Sequence, residues 1–175
     1  ITVNPSPLVN FSEADQVIAT GETTTAVNLT SPTTGVTFAW TVFVPTGITG
    51  VTTLTGTDNI PAETLINSTT EPLNVVYTAI ATGDVGFDCE GLPTLYKVTV
   101  NPQAQVNPVD NQVVCNDENL TIEFSTIVTG GTTTFSWTNN NTAIGLDATG
   151  TGNIDITAIN TTDEPLTANI VVTPS

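Results

Sequence analysis

Histidine, arginine and methionine are absent from this 175-residue sequence, and lysine occurs once, as Lys97. Against that single base stand 17 aspartates and glutamates, for a formal net charge of -16. Neutralising a phosphate backbone takes several Lys or Arg, so nucleic-acid binding is excluded. The same shortage excludes docking on anionic lipid headgroups. Without histidine, serine- and cysteine-protease chemistry, His-metal sites and most acid–base catalysis near neutral pH lose their usual residue. Carboxylates alone remain, and a glycosidase needs two of them across a cleft, one with a raised pKa. Nothing in the sequence singles out such a pair, and the chain is read as not an enzyme. Apolar runs near the roughly 18 residues of a membrane helix are also missing, so no membrane insertion is expected. Ile1 opens in mid-pattern, with neither an initiator Met nor the layout of a signal peptide, as expected of a mature piece of something longer.

What is present fixes the class. Charged residues are only 10 % of the chain, and 38 residues are Thr. Polarity therefore comes from Thr, Asn, Ser and Gly rather than from charge, which is not the composition of a charge-rich disordered chain. Thr fits a pleated, half-buried surface, while Asn, Gly and Pro mark turns. No segment holds an apolar period of 3.6 over three turns. The chain is expected to be all-β with minimal helix.

Internal repetition sets the domain count. Ile1-Thr2-Val3-Asn4-Pro5 recurs as Val98-Thr99-Val100-Asn101-Pro102, and Phe38-Ala39-Trp40-Thr41 as Phe135-Ser136-Trp137-Thr138. Gly56-Thr57-Asp58-Asn59-Ile60 matches Gly150-Thr151-Gly152-Asn153-Ile154. Asn67-Ser68-Thr69-Thr70-Glu71-Pro72-Leu73 matches Asn160-Thr161-Thr162-Asp163-Glu164-Pro165-Leu166. Four ordered matches at a slowly drifting spacing signal an array of structural units. Two tandem domains follow, at 1–102 and 103–175, with residues 1–5 resembling the end of a preceding repeat. About 100 residues of short strands, with turn signals every 8–12 residues, suit an immunoglobulin-like sandwich.

In the first unit, strands are expected near 17–19, 26–29, 36–44, 51–54, 73–81 and 96–100. Phe38, Trp40 and Val42 alternate with Ala39 and Thr41 and so share one face. Phe135 and Trp137 do the same in the second unit, and these four aromatic residues are taken as core anchors. The second unit stops at Ser175, soon after the equivalent of 75–81, and is expected to lack its last strand. An open strand edge is sticky, and another strand is expected to cover it. The Pro-containing stretches at 4–7 and 101–108 read as stiffened connectors.

The strings Val113-Val114-Cys115-Asn116-Asp117, Phe135-Ser136-Trp137-Thr138-Asn139-Asn140-Asn141 and Ala148-Thr149-Gly150-Thr151-Gly152-Asn153-Ile154 carry a resemblance. With the recurring Val-Thr-Val-Asn-Pro junction, they resemble the PKD-like repeats of very large Bacteroidota surface adhesins, including the SprB-type gliding-motility adhesins. The resemblance covers the second unit almost throughout and the first more loosely. It implies an Ig-like (PKD-like) β-sandwich repeated many times in an extracellular cell-surface filament or stalk, exported by the type IX route. Repeats of that family often carry one early and one late Cys. The first unit departs from this, with Ala19 where the second has Cys115, and it keeps only the late Cys89.

Two cysteines in an extracellular chain suggest a disulfide, and a Cys89–Cys115 bond would staple one unit to the next. The alternative is that Cys115 pairs with a partner beyond Ser175. Asp84, Asp88 and Glu90 surround Gly86 and offer three oxygen ligands for Ca²⁺, the one cofactor this sequence brings into view. A solvated hairpin tip is the competing reading. Trp40 and Trp137 are candidates for sugar stacking, but alternation with a Phe argues for the core.

The leading expectation is a structural repeat segment of a long extracellular adhesin or filament, a stalk or spacer with a part in adhesion or gliding motility. Its partners are neighbouring repeats and, at the surface, polysaccharide. The alternative is a carbohydrate-binding accessory module of a secreted enzyme.

Overall fold

The computed structural model describes residues 3–83 and 89–175. It is all-β, with one 3₁₀ turn at Thr142–Ile144 among the described residues. The chain divides into two compact units, Ile1–Gln103 and Ala104–Ser175.

Unit one contains β1 (Asn10–Phe11), β2 (Gln16–Ala19), β3 (Leu29–Thr30), β4 (Val36–Phe43), β5 (Ile48–Thr49), β6 (Thr55–Gly56), β7 (Ile66–Asn67), β8 (Leu73–Gly83) and β9 (Thr94–Asn101). Its main sheet has the order β2-β9-β8-β4-β6. All these pairings are antiparallel except β2 with β9, which is parallel. A second layer is made of short pieces: β1 with β3, β5 with β7, and bridges Val27–Ile60 and Thr23–Thr64. The core lies between the layers. Period-2 alternation turns Val75, Tyr77, Ala79 and Ala81 of β8 inward, with Tyr96, Val98 and Val100 of β9 and Trp40 of β4 beside them. Val27, Leu29, Ile48, Ile60 and Leu65 close it from the other layer. Trp40 sits opposite Ala79 in the ladder, a large side chain facing a small one.

The strand expected at 51–54 is not formed. Gly50 turns the backbone at a φ of +100°. The buried carboxylate of Glu63 then captures the next donors, accepting from the backbone N–H of Thr52 at 2.7 Å and of Thr53 at 3.1 Å. With those groups committed to a side chain, the ladder starts only at β6.

Unit two contains β10 (Asn119–Ile122), β11 (Phe135–Asn139), β12 (Thr149–Thr151), β13 (Ile154–Thr157) and β14 (Ile170–Pro174). β10 pairs with β13, and β12-β11-β14 form a three-stranded sheet, all antiparallel. Only Trp137, Leu146 and Ile154 form its buried cluster, with Ile122, Phe124, Ile144, Ile156, Ile170 and Val172 packed against them. Phe38 is half-buried on the core of unit one. Phe135 is half-buried and stands 5.8 Å from the ring of Phe124.

The repeated Gly-Thr-x-Asn-Ile string has a packing reason. A Cβ on Gly56 would lie 2.5 Å from Trp40 Cζ2, and one on Gly150 would lie 2.1 Å from Trp137 Cζ2. In each unit the indole lies flat against bare backbone. Its Nε1 donates to a neighbouring carbonyl, Asp58 O at 2.8 Å and Gly152 O at 3.2 Å. Both indoles are therefore buried rather than offered to a ligand.

Candidate functional site

The arrangement in unit one that bears on function is the pairing of an early strand, β2, with the last, β9. β2 and β9 run side by side and parallel, with Gln16, Val17, Ile18 and Ala19 opposite Val98, Thr99, Val100 and Asn101. β9 is held on its other side along β8, from Leu73–Val100 to Ala79–Thr94.

Side chains lock both ends of this pair. At one end Asp15 Oδ1 accepts from Lys97 N at 2.9 Å, and its Oδ2 lies 3.8 Å from Lys97 Nζ. Both side chains are about half exposed, so that ion pair contributes little. Gln16 matters more: its Nε2 donates to the Tyr96 hydroxyl and to Thr25 O, while its Oε1 accepts from Thr25 N at 2.9 Å. At the other end Thr20 N donates to Asn101 O at 2.9 Å. Beside it, buried Asn67 donates through Nδ2 to Val100 O and to Glu71 O, both at 2.8 Å. Its Oδ1 accepts from Thr69 N and Thr69 Oγ1, at 2.9 and 2.7 Å. Asn67 thus uses its whole amide to tie the loop before β8 to the last residues of β9.

Behind the clamp runs a chain of rings. Phe11 lies 5.2 Å from Tyr96, Tyr96 lies 6.1 Å from Tyr77, and Tyr77 lies 5.7 Å from Trp40. Glu63 Oε2 accepts from the Tyr77 hydroxyl at 3.2 Å. Burial, reinforced by the Glu63 carboxylate, pushes the Tyr77 hydroxyl pKa far above its ordinary value. Burial also raises that of Tyr96, and the Gln16 hydrogen bond partly opposes it.

The residues picked out by sequence fall in different places. Asp84 and Asp88 lie outside the described residues. Glu90 is exposed and bridges to Thr82 at the foot of β8. Among the described residues no group of three or more Cys, Asp or Glu is placed to hold a metal ion. Cys89 is a half-buried and Cys115 an exposed free thiol. Two shallow hollows occupy the same place in each unit, one beside Phe38 and Thr57, the other beside Phe135 and Thr151. Each is lined mainly by small and hydroxyl side chains. The clamp itself was missed by sequence reading; its one visible signal was the recurrence of the Asn-x-Thr-x-Glu-Pro string.

The PKD-like domain description matches residues 15–104, a span that opens at Asp15 beside β2 and closes just after β9. This chain belongs to the PKD-like domain family. The PKD-like match covers unit one from Asp15 onward, and unit two is tied to it by the internal repeat. A chimeric titin Z1Z2-Z1Z2 tandem functionalised with a GRGDS peptide from fibronectin is also similar, at 17% identity and a TM-score of 0.24, over 87% of this chain and 85% of that one. No curated protein matches. PKD-like domains are commonly structural repeat modules, generally non-catalytic and typically extracellular. No helix among the described residues is long and apolar enough to cross a membrane.

Proposed function

We propose that this PKD-like chain is a load-bearing repeat segment of a long extracellular adhesin or filament, serving as stalk and spacer. The observation that carries the reading is the parallel pairing of β2 with β9. In unit one the chain passes the two-residue β1, runs into β2 and leaves through β9. A pull on the two ends drags these neighbours past one another along their length, so their hydrogen bonds are loaded together rather than one at a time. Asn67 and Thr20 fasten the end of β9 where that load arrives.

Charge fits the same role. At -16 with one Lys, neighbouring stalks repel one another and trypsin-type cleavage sites are almost absent. The carbohydrate-module alternative loses its best residues, because Trp40, Trp137, Tyr77 and Tyr96 are all buried. Service in a gliding-motility adhesin belongs to this proposal and rests on the sequence resemblance. Antibodies raised against the chain test the location. They label intact cells of the source organism if the proposal holds, and label only permeabilised cells if it fails.

A further inference from the structure

The main sheet of unit one carries apolar side chains on the face turned away from the core. Alternation along β4, β8 and β9 directs Phe43, Val76, Ile80 and Leu95 outward, opposite to Trp40, Tyr77 and Tyr96. The ladder sets them side by side. Phe43 stands opposite Val76, and Leu95 stands opposite Thr78, between Val76 and Ile80. Val17 of β2 extends the face beyond β9. Phe43 is 66% exposed, Leu95 64% and Val17 67%. Scattered singly, such residues need no explanation; gathered on one sheet face they form a patch of the kind that marks an interaction surface.

Folding does not require this patch, because unit two does without it. By the repeat, Ala39, Phe43, Val76 and Ile80 correspond to Ser136, Asn140, Asn169 and Thr173. The Phe43–Val76 pairing becomes a polar one, in which Asn169 N donates to Asn140 Oδ1 at 2.8 Å. Val171, in place of Thr78, goes the other way and stands without an apolar cluster around it.

Charge indicates what covers it. The outward positions of β4, β8 and β9 hold no carboxylate among the described residues, and they hold Lys97, the one base of a chain at -16. A partner rich in bases would be drawn to the acidic parts of the surface, not to this face. A second acidic chain, by contrast, can approach only where carboxylates are missing. We propose that two copies of the chain pair here, sheet against sheet. About a two-fold axis each face meets its own like, and the carboxylates of both copies stay at the periphery. Five strands about 4.8 Å apart and about eight residues long offer at most roughly 24 Å by 26 Å, or about 600 Å² per copy. A standard interface buries about 800 Å² per partner. The pairing is therefore weak and reversible, and one such face per copy stops it at two. The inference goes beyond the stalk reading and does not rest on it; repulsion over the rest of the surface still keeps larger groups of chains apart.

The test is sedimentation of the full chain from ~10 μM to ~1 mM, at low and high salt. Monomer should give way to dimer, and more so as salt screens the net charge. Amide resonances of Val17, Phe43, Val76 and Leu95 should shift with concentration, and those of unit two should not. Leu95→Asp puts a carboxylate on each face and should weaken pairing about tenfold or more. Phe43→Asn, which installs the residue unit two carries there, should weaken it in the same direction. Both side chains are mostly exposed, so neither substitution threatens the core. Val171→Asp, on the matching face of unit two, should leave pairing at high salt unchanged. A chain still monomeric at ~1 mM in high salt, growth past the dimer, pairing that weakens as salt is added, or pairing indifferent to Leu95→Asp overturns the assignment.

Discussion

Glu63 and Tyr77 form a buried polar pair in unit one, carboxylate to phenol at 3.2 Å, and the repeat replaces both partners at once, with Ile156 and Ile170. Those two isoleucines pack on the core of unit two. The pair is exchanged as a unit because half of it is costly. A buried carboxylate without its donors, or a buried phenol beside an isoleucine, keeps the desolvation penalty without the bond.

Replacing Glu63 by Ile should destabilise unit one by about 3 kcal/mol, since the N–H of Thr52 and Thr53 also lose their acceptor. Adding Tyr77→Ile should cost less than its effect alone, with a coupling of about 1 kcal/mol. Urea unfolding followed by amide exchange in unit one measures both. Strictly additive effects would show that the two residues do not act as a pair.

Alkali should attack one unit selectively. In Tyr77 and Tyr96 the folded state raises the pKa, so folding favours the protonated phenol. That contribution is intact below the unfolded value of about 10 and is lost as pH climbs above it. Unit two has no tyrosine. Titration from pH 9 to 12, read by tyrosinate absorbance and amide exchange, should open unit one while these groups add nothing to the loss in unit two.

The glycines under the indoles give a local test. Gly56→Ala and Gly150→Ala each drive a methyl into a tryptophan ring. Each should destabilise its own unit by about 1–3 kcal/mol. Tryptophan fluorescence during thermal unfolding should report one shifted transition and one unchanged transition in each variant.

Thiol counting addresses the cysteines. Without reductant, two thiols per chain should react, exposed Cys115 fast and half-buried Cys89 more slowly. Two unreactive thiols would instead indicate the Cys89–Cys115 bridge.

The fold class was legible because Thr, Gly and Asn leave few alternatives to strands, and the units were legible because the Trp and the Gly it packs on recur in the same order, 16 residues apart in unit one and 13 in unit two. The clamp was not, for a physical reason. Gln16–Ala19 and Gln112–Cys115 read almost alike, yet only the first is a strand, because a strand is defined by the partner beside it and β9 lies some 80 residues downstream. The segment 51–54 misled for a similar reason: its apolar residues look like a strand, while the acceptor that takes its N–H groups is Glu63, about ten residues on. Sequence shows what a segment is able to do; the neighbour decides what it does.

The load-bearing role requires unit one to resist tension through β2, β9 and Asn67, and pulling a single molecule by its two ends tests that most directly. Unit one should open in one discrete event that releases about 30 nm of chain, at a higher force than unit two. Asn67→Ala should lower that force while leaving the length unchanged. Smooth extension with no discrete event, or a force indifferent to Asn67, would contradict the load-bearing role.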